Sequence, residues 1–183
     1  PLKREEEKKP YWITNTKSRQ LVHKWRSEEA GILVGTNTVL ADNPQLNLRD
    51  WAGKAPTRIV LDRSLKISRD YHVLDGKQKT IICTEITDSN SHLEGVTYKI
   101  INFNSDVPQQ LCNVMHEEQI QSVIIEGGSQ TLQSFIDANL WDEARIFKGA
   151  NNFTKGIAAP KIAGRNQQQI QILTDQLTIV RND

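Results

Sequence analysis

Between Val123 and Ile136 the chain reads VIIEGGSQTLQSFI. A β-branched run leads to a single carboxylate, Glu126, then to Gly127 and Gly128, then to apolar residues at helical spacing. Glycines at such a junction expose backbone N–H groups where a helix begins. The unpaired donors and partial positive charge of a helix N-terminus favour an anion. Ser129 and Thr131 add hydroxyl donors. A bound anion would repel a neighbouring carboxylate, so Glu126 suits an adjacent neutral ring rich in N–H donors. A plain strand-to-helix turn satisfies the same spacing. The motif is neither GxGxxG nor GxxxxGK[ST].

A second strand end has similar potential. Gly35 is followed by Thr36, Asn37, Thr38 and Asp42. Glycine lets backbone approach a ligand closely; Thr38 can hydrogen-bond a phosphate or ribose, and Asp42 can accept from ribose hydroxyls. The bland alternative is a turn with a cap. Arg26 and Arg49 flank this strand in sequence and could converge on an anionic substrate through bidentate contacts, or could simply be solvated.

Several chemistries are disfavoured. His92–Glu94 reads HLE, but no PCxxC accompanies it, as a zinc deaminase would require. There is no HExxH, and the four histidines are scattered, so no metal site is expected. No GxSxG elbow supports a hydrolase. Net charge is +1 with no basic stripe, so no nucleic-acid partner is expected. No apolar run approaches the roughly 20 residues of a membrane helix, and no signal-peptide pattern is present. Cys83 and Cys112 lie in separate elements with no CxxC, consistent with a reduced, cytoplasmic chain.

The elements that must position these residues follow from periodicity. The 183 residues suit one domain, long enough to bury roughly 70% of its unfolded surface. Lys3–Lys9 reads as a solvated, charged loop. ITNTKSRQLVHKWRSEE is a helix capped by Thr14 or Asn15, with Leu21, Val22 and Trp25 inward. GILVG is a buried strand, and TNTVLADNPQLNLR is a turn or short helix ended by Pro44. TRIVLD, TIICTE, VTYKIINF, SVIIE and EARIFKG read as further strands. DVPQQLCNVMHEEQ is a helix capped by Asp106 with Pro108 in its first turn. Another helix runs from about Ser129 to Asn139. QIQILTDQLTIVRN reads as a terminal antiparallel pair, and Phe153–Gln169 as the longest irregular stretch. Short apolar strands alternating with helices predict an α/β fold: a three-layer α/β/α arrangement around a mostly parallel, mixed sheet with an antiparallel C-terminal pair.

The blocks WIT, H.WR, ILVGTNTVLADNPQLNLR, RIVLD, VIIEGG.QTL..F and LWDEARIF, in this order, resemble the pyrimidine reductase domain of riboflavin biosynthesis. That domain is usually the C-terminal half of a bifunctional deaminase-reductase. The resemblance runs from about Trp12 to Phe147 and implies a dihydrofolate-reductase-like fold. It also implies NADPH-dependent reduction of the ribosyl group of 5-amino-6-(5-phosphoribosylamino)uracil to ribityl, by hydride transfer to the sugar C1′, in a cytoplasmic homodimer. It places Trp12, Thr38 and Asp42 at the cofactor. Gly128, Ser129, Gln130, Thr131 and Leu132, within a loop and helix start reaching Ser134, would hold the cofactor's pyrophosphate. It places Arg26, Leu46, Arg49 and Glu126 at the substrate, the arginines at the sugar phosphate and Glu126 at the uracil-like ring. Arg63, with Ser64 and Lys66, is expected at the adenosine 2′-phosphate, or to be an exposed basic turn.

This chain departs from the family in three places. Members usually begin the domain with a central strand carrying a lysine and an S.DG segment ahead of WIT, and nothing like it precedes Lys3. The chain begins at Pro1, with Met115 as its only methionine. It is therefore expected to be one reductase domain that is N-terminally incomplete, lacking that strand and the deaminase. After ARIF, KGANNFTKGIAAP replaces the usual continuation. The rival readings are a related diaminopyrimidine or dihydrofolate-type reductase, and an inactive nucleotide-binding fragment.

Overall fold

In the computed structural model, which describes residues 12–87, 93–151, 156–164 and 166–182, five apolar runs pair as one parallel sheet. They are β1 (Gly31–Gly35), β2 (Thr57–Leu61), β3 (Thr80–Thr84), β4 (Val96–Ile100) and β5 (Val123–Gly127), in the order β4-β3-β2-β1-β5. β1 and β3 are buried along their whole length, which is why their sequences are continuously apolar and not alternating. One face, with Leu33, Ile59 and Ile81, packs under α3 (Val107–Glu117) and α4 (Ser129–Asp137). The other, with Ile32, Val34, Val60 and Ile82, is covered by α2 (Thr36–Asp42), a single 3-10 turn (His72–Leu74) and the segment carrying Leu46 and Ile67. The helix starts follow their capping residues. Asn15 accepts from the Ser18 amide at 3.1 Å to open α1 (Thr16–Glu28), and Asp106 accepts from the Gln109 amide at 3.2 Å to open α3.

The antiparallel part differs from the expected edge pair. β6 (Glu143–Lys148), β7 (Asn166–Ile172) and β8 (Asp175–Arg181) form a separate three-stranded sheet in the order β6-β8-β7. β5 and β6 are not hydrogen-bonded to each other. A cavity of ≈ 1350 Å³ lies between them, lined by Val123–Glu126, by Glu143–Phe147, and by Val22, Trp25, Leu132 and Phe135. No described strand occupies this gap. Val22 of α1 faces this cavity and is half-buried, as is Leu21, whereas the helical pattern placed both inward with the buried Trp25. The expected loop at Lys3–Lys9 lies outside the described residues. Among the described residues no helix is long and apolar enough to cross a membrane.

Two polar clamps hold the layers in register. Asp175, buried at the start of β8, accepts from the Asn15 amide at 2.7 Å and from Ser18 Oγ at 2.6 Å, while Asn15 Nδ2 donates to the Ile172 carbonyl at 2.7 Å. The N-terminal turn of α1 is thereby fastened to the β7–β8 hairpin. On β2, Arg58 is 1% exposed. It donates to Asp75 at 2.8 Å and to the carbonyls of Gln45 and His72 at 3.0 and 3.1 Å. Strand, 3-10 turn and the Leu46 segment therefore share one cation.

Burial pushes the Asp175 carboxyl upward, but hydrogen bonds from Ser18 and Asn15 outweigh it and hold the group below its ordinary 3.8. A carboxyl depressed in the folded state stabilises above its unfolded pKa, and that stabilisation is lost as pH falls through the folded value. Asp175→Asn should lower stability at pH 7 by about 1.5–3 kcal/mol. The gap from the parent should close as the pH of urea unfolding falls below about 4. A gap independent of pH would refute the ionised clamp.

Candidate active site

Because β1 and β5 are parallel neighbours, their carboxyl ends, Gly35 and Gly127, emerge together, where open α/β sheets place ligands. The two glycine motifs interlock there. A Cβ on Gly127 would lie 2.7 Å from Thr38 Cγ2, and one on Gly35 would lie 2.9 Å from Thr131 Oγ1. Gly128 follows with φ +83°, a left-handed conformation that glycine adopts without strain. It begins α4 without a side-chain cap, so the first-turn amides keep their donors for an incoming group. Thr38, Gly128, Ser129 and Thr131 thus form a narrow backbone-lined cradle whose chemistry fits a diphosphate. Gln130 is exposed beside it, and Leu132 is half-buried.

Glu126 is aimed by an irregularity in β5. Leu33 pairs with Ile125, but Val34 pairs with Gly127, so one extra residue is accommodated at Glu126. Bulges of this kind redirect a side chain. The Glu126 carboxylate meets Arg26 of α1 in a two-pronged contact, Nε to Oε1 at 2.5 Å and Nη2 to Oε2 at 2.5 Å. Arg26 Nη1 also donates to the Asn47 carbonyl at 3.1 Å. The sequence reading assigned the two residues to different ends of one substrate; the structure pairs them with each other. Arg49 stands three residues from the site's first turn of loop at Leu46, exposed and with no ion pair among the described residues. Leu46 is buried with φ +52°. That left-handed backbone is uncommon for a non-glycine residue and concentrates at functional sites. Burial of its side chain and the grip of Arg58 on the Gln45 carbonyl hold it there.

The remaining expected residues are more scattered. Trp12 is half exposed, with the Arg19 guanidinium 4.2 Å above its ring. Asp42 ends α2 and is half-buried. Arg63 lies just past β2, on the same edge of the sheet. Its charge is already engaged, by Glu85 at 2.8 Å and Asn104 at 3.0 Å. Ser64 and Lys66 are exposed on that turn. No cluster of three or more His, Cys, Asp or Glu among the described residues could hold a metal.

Sequence reasoning gave no role to His23, which is 5% exposed. Its Nδ1 accepts from the Arg49 amide at 3.4 Å, and its Nε2 lies 3.7 Å from Asp50. The available signal was its spacing, three residues before Arg26 and therefore on the same helix face. Asn47 was also missed: its Oδ1 is buried without a hydrogen-bond partner.

Comparison with known proteins places the chain in a family. The RibD C-terminal domain family matches residues 4–174. The chain is 32% identical over 159 residues to the riboflavin biosynthesis protein RibD of Aquifex aeolicus, covering 84% of this chain and 41% of that protein. It is 25% identical over 188 residues to the 5-amino-6-(5-phosphoribosylamino)uracil reductase of Buchnera aphidicola, covering 92% and 84%. Its fold matches a Thermotoga maritima diaminohydroxyphosphoribosylaminopyrimidine deaminase/5-amino-6-(5-phosphoribosylamino)uracil reductase with a TM-score of 0.76 at 27% identity, covering 94% of this chain and 50% of that one. The chain spans less than half the length of the curated RibD proteins it matches.

The interlock at the cradle has a measurable consequence. Gly127→Ala should destabilise by about 1–3 kcal/mol through overpacking against Thr38. Thr38→Ala in the same chain should recover much of that loss, a coupling read from urea unfolding in a double-mutant cycle. Additive effects would show that Thr38 does not pack against Gly127.

Proposed function

The chain belongs to the family of RibD C-terminal domains, and from that premise we propose that it is an NADPH-dependent pyrimidine reductase. Its proposed reaction converts the ribosyl group of 5-amino-6-(5-phosphoribosylamino)uracil to ribityl. The observation that supports this best is the adjacency of three unlike subsites. A cradle for a diphosphate (Thr38, Gly128–Leu132) adjoins a carboxylate, Glu126, and beyond it lies the loop carrying Arg49. A phosphorylated sugar joined to a donor-rich ring, next to a dinucleotide, needs those three together.

When bound, NADPH supplies the hydride for the sugar C1′. The chain's own part is binding and orientation. Gly128, Ser129, Gln130, Thr131 and Leu132 receive the diphosphate, with Thr38, Asp42 and Trp12 as further cofactor contacts. Selection of NADP over NAD is assigned to the turn holding Arg63, Ser64 and Lys66. There Arg63 would exchange Glu85 for the 2′-phosphate. Glu126 accepts from the pyrimidine ring. Arg26 serves the substrate by presenting that carboxylate, since two of its nitrogens are already committed to it and a third to Asn47. Arg49 is then the cation left for the sugar phosphate, with Leu46 shaping the floor beside it. This reading describes a cytoplasmic homodimer acting on a small phosphorylated pyrimidine.

The test follows NADPH oxidation with 5-amino-6-(5-phosphoribosylamino)uracil and with its diaminopyrimidine counterpart, using the full-length protein. Arg49→Ala should raise the substrate KM about 10- to 100-fold, the worth of a hydrogen bond to a charged group, while kcat changes only a few-fold. Glu126→Gln should lower kcat/KM for the uracil compound. If NADPH binds but neither pyrimidine oxidises it, the chain is a binding module and the reductase assignment fails.

A further inference from the structure

One face of α1 grips the loop that carries Arg49 at two points. Arg26 Nη1 donates to the Asn47 carbonyl at 3.1 Å, and the Arg49 amide donates to His23 Nδ1 at 3.4 Å. The two side chains are three residues apart, one helical turn, and bracket a three-residue stretch of backbone. Residues 47–50 are irregular, with Asn47 and Leu48 half-buried and Arg49 and Asp50 exposed, so these bonds restrain the backbone where the side chains leave the surface. The imidazole can hold the Arg49 amide only as an acceptor at Nδ1, which requires the tautomer with its proton on Nε2. Asp50, 3.7 Å from Nε2, faces the nitrogen that carries that proton. The residue is 5% exposed, so its ring nitrogens are largely shielded from water.

We propose that His23 is a positioning residue for the substrate: in its neutral form it anchors the Arg49 backbone, and its protonation releases the loop and weakens capture of the phosphate. The identity of that phosphate rests on the reading above; the anchor itself does not. The charged groups facing His23 are Arg26 on its own helix, Arg49 and Asp50 on the loop, and Glu126 on β5. Burial lowers its pKa below 6.5, and Arg26 and then Arg49 lower it further, against opposing contributions from Asp50 and Glu126. The charged form would gain a pair with Asp50, but that carboxylate is 44% exposed, and such pairs contribute little. Against this, protonation turns Nδ1 into a donor aimed at a donor inside the protein, which is the larger effect. A group whose folded pKa is depressed stabilises its contacts above the unfolded value, and the benefit disappears as pH falls through the folded one. The loop should therefore be anchored near neutrality and loosened below pH 6.5.

Two measurements decide this, and only the second depends on the reaction. In the full-length protein, the Arg49 amide should exchange its hydrogen at least ten times more slowly than in His23→Ala at pH 7.5. Once corrected for intrinsic rates, that protection should vanish on acidification through the His23 titration. His23→Asn keeps an acceptor near the Nδ1 position and cannot titrate. It should retain the protection at pH 7.5 and after the same acidification, and it covers the case in which His23→Ala does not fold. In the second measurement, binding of ribose 5-phosphate should weaken about tenfold in His23→Ala at pH 7.5. As pH falls from 7.5 through the His23 titration, the parent should lose affinity more steeply than His23→Asn, whose slope reports the ionisation of the phosphate itself. Equal exchange at Arg49 in parent and His23→Ala, or identical pH profiles of exchange in parent and His23→Asn, would overturn the anchor. A pH-dependent Arg49 amide with unchanged ribose 5-phosphate binding would keep the anchor and refute its link to phosphate capture.

Discussion

The contact on which the site depends is the two-pronged pair between Arg26 and Glu126. It joins a helix, a strand end and, through the Asn47 carbonyl, a loop. Both side chains are largely sheltered, at 13% and 18% exposure. Such pairs add little net stability, because desolvation offsets most of the attraction. Their value lies in direction. A guanidinium presents its donors in a rigid plane, so the carboxylate it holds has little freedom of its own. A lysine at position 26 would neutralise Glu126 as well, yet could not set its orientation.

Around that pair the backbone itself makes the remaining surface. β1 and β5 come close enough at Gly35 and Gly127 that neither tolerates a side chain without displacing Thr131 or Thr38. The extra residue accommodated at Glu126 and the left-handed turn at Gly128 follow within three positions of each other. One short segment therefore turns a carboxylate toward α1 and exposes helix-start amides toward the cradle. Backbone separates the Glu126 carboxylate from the helix-start amides, which would reconcile it with an anion at the proposed cofactor cradle.

Much of this was legible in the sequence, for identifiable reasons. The buried parallel strands announce themselves as unbroken apolar runs, and Asn15, Asp106 and Pro108 mark helix starts by local chemistry that tertiary structure does not override. The gathering of Thr38 with Gly127 and Gly128 followed from placing both motifs at strand ends. Pairings between distant residues were not legible. Arg26 and Glu126 are a hundred positions apart in sequence, and periodicity says nothing about which partner a surface-looking arginine will find. The same blindness hid Arg58, whose place in TRIVLD gives no hint that it is buried against Asp75. The left-handed backbone at Leu46 was invisible too, because leucine is not a residue that signals it. Division of the strands into two sheets depends on which edges pair, and alternation along a strand does not encode that.

The two halves of the site differ in how they are supported. The cradle rests on α4, which packs Phe135 into the core beneath β1 and β5, so its geometry is enforced by close packing. Glu126, by contrast, borders the cavity between β5 and β6, and on that side no packed neighbour among the described residues restrains it. Packing cannot fix a side chain that faces open volume; only directional bonds can. Arg26 supplies them, and Arg26 is itself located by α1, whose Trp25 contacts the Phe147 ring at 5.6 Å and the Arg145 guanidinium at 4.4 Å. These contacts come from β6, on the far side of the same cavity. A continuous chain of contacts therefore links β6 to the Glu126 carboxylate, through Arg145, Trp25 of α1 and Arg26.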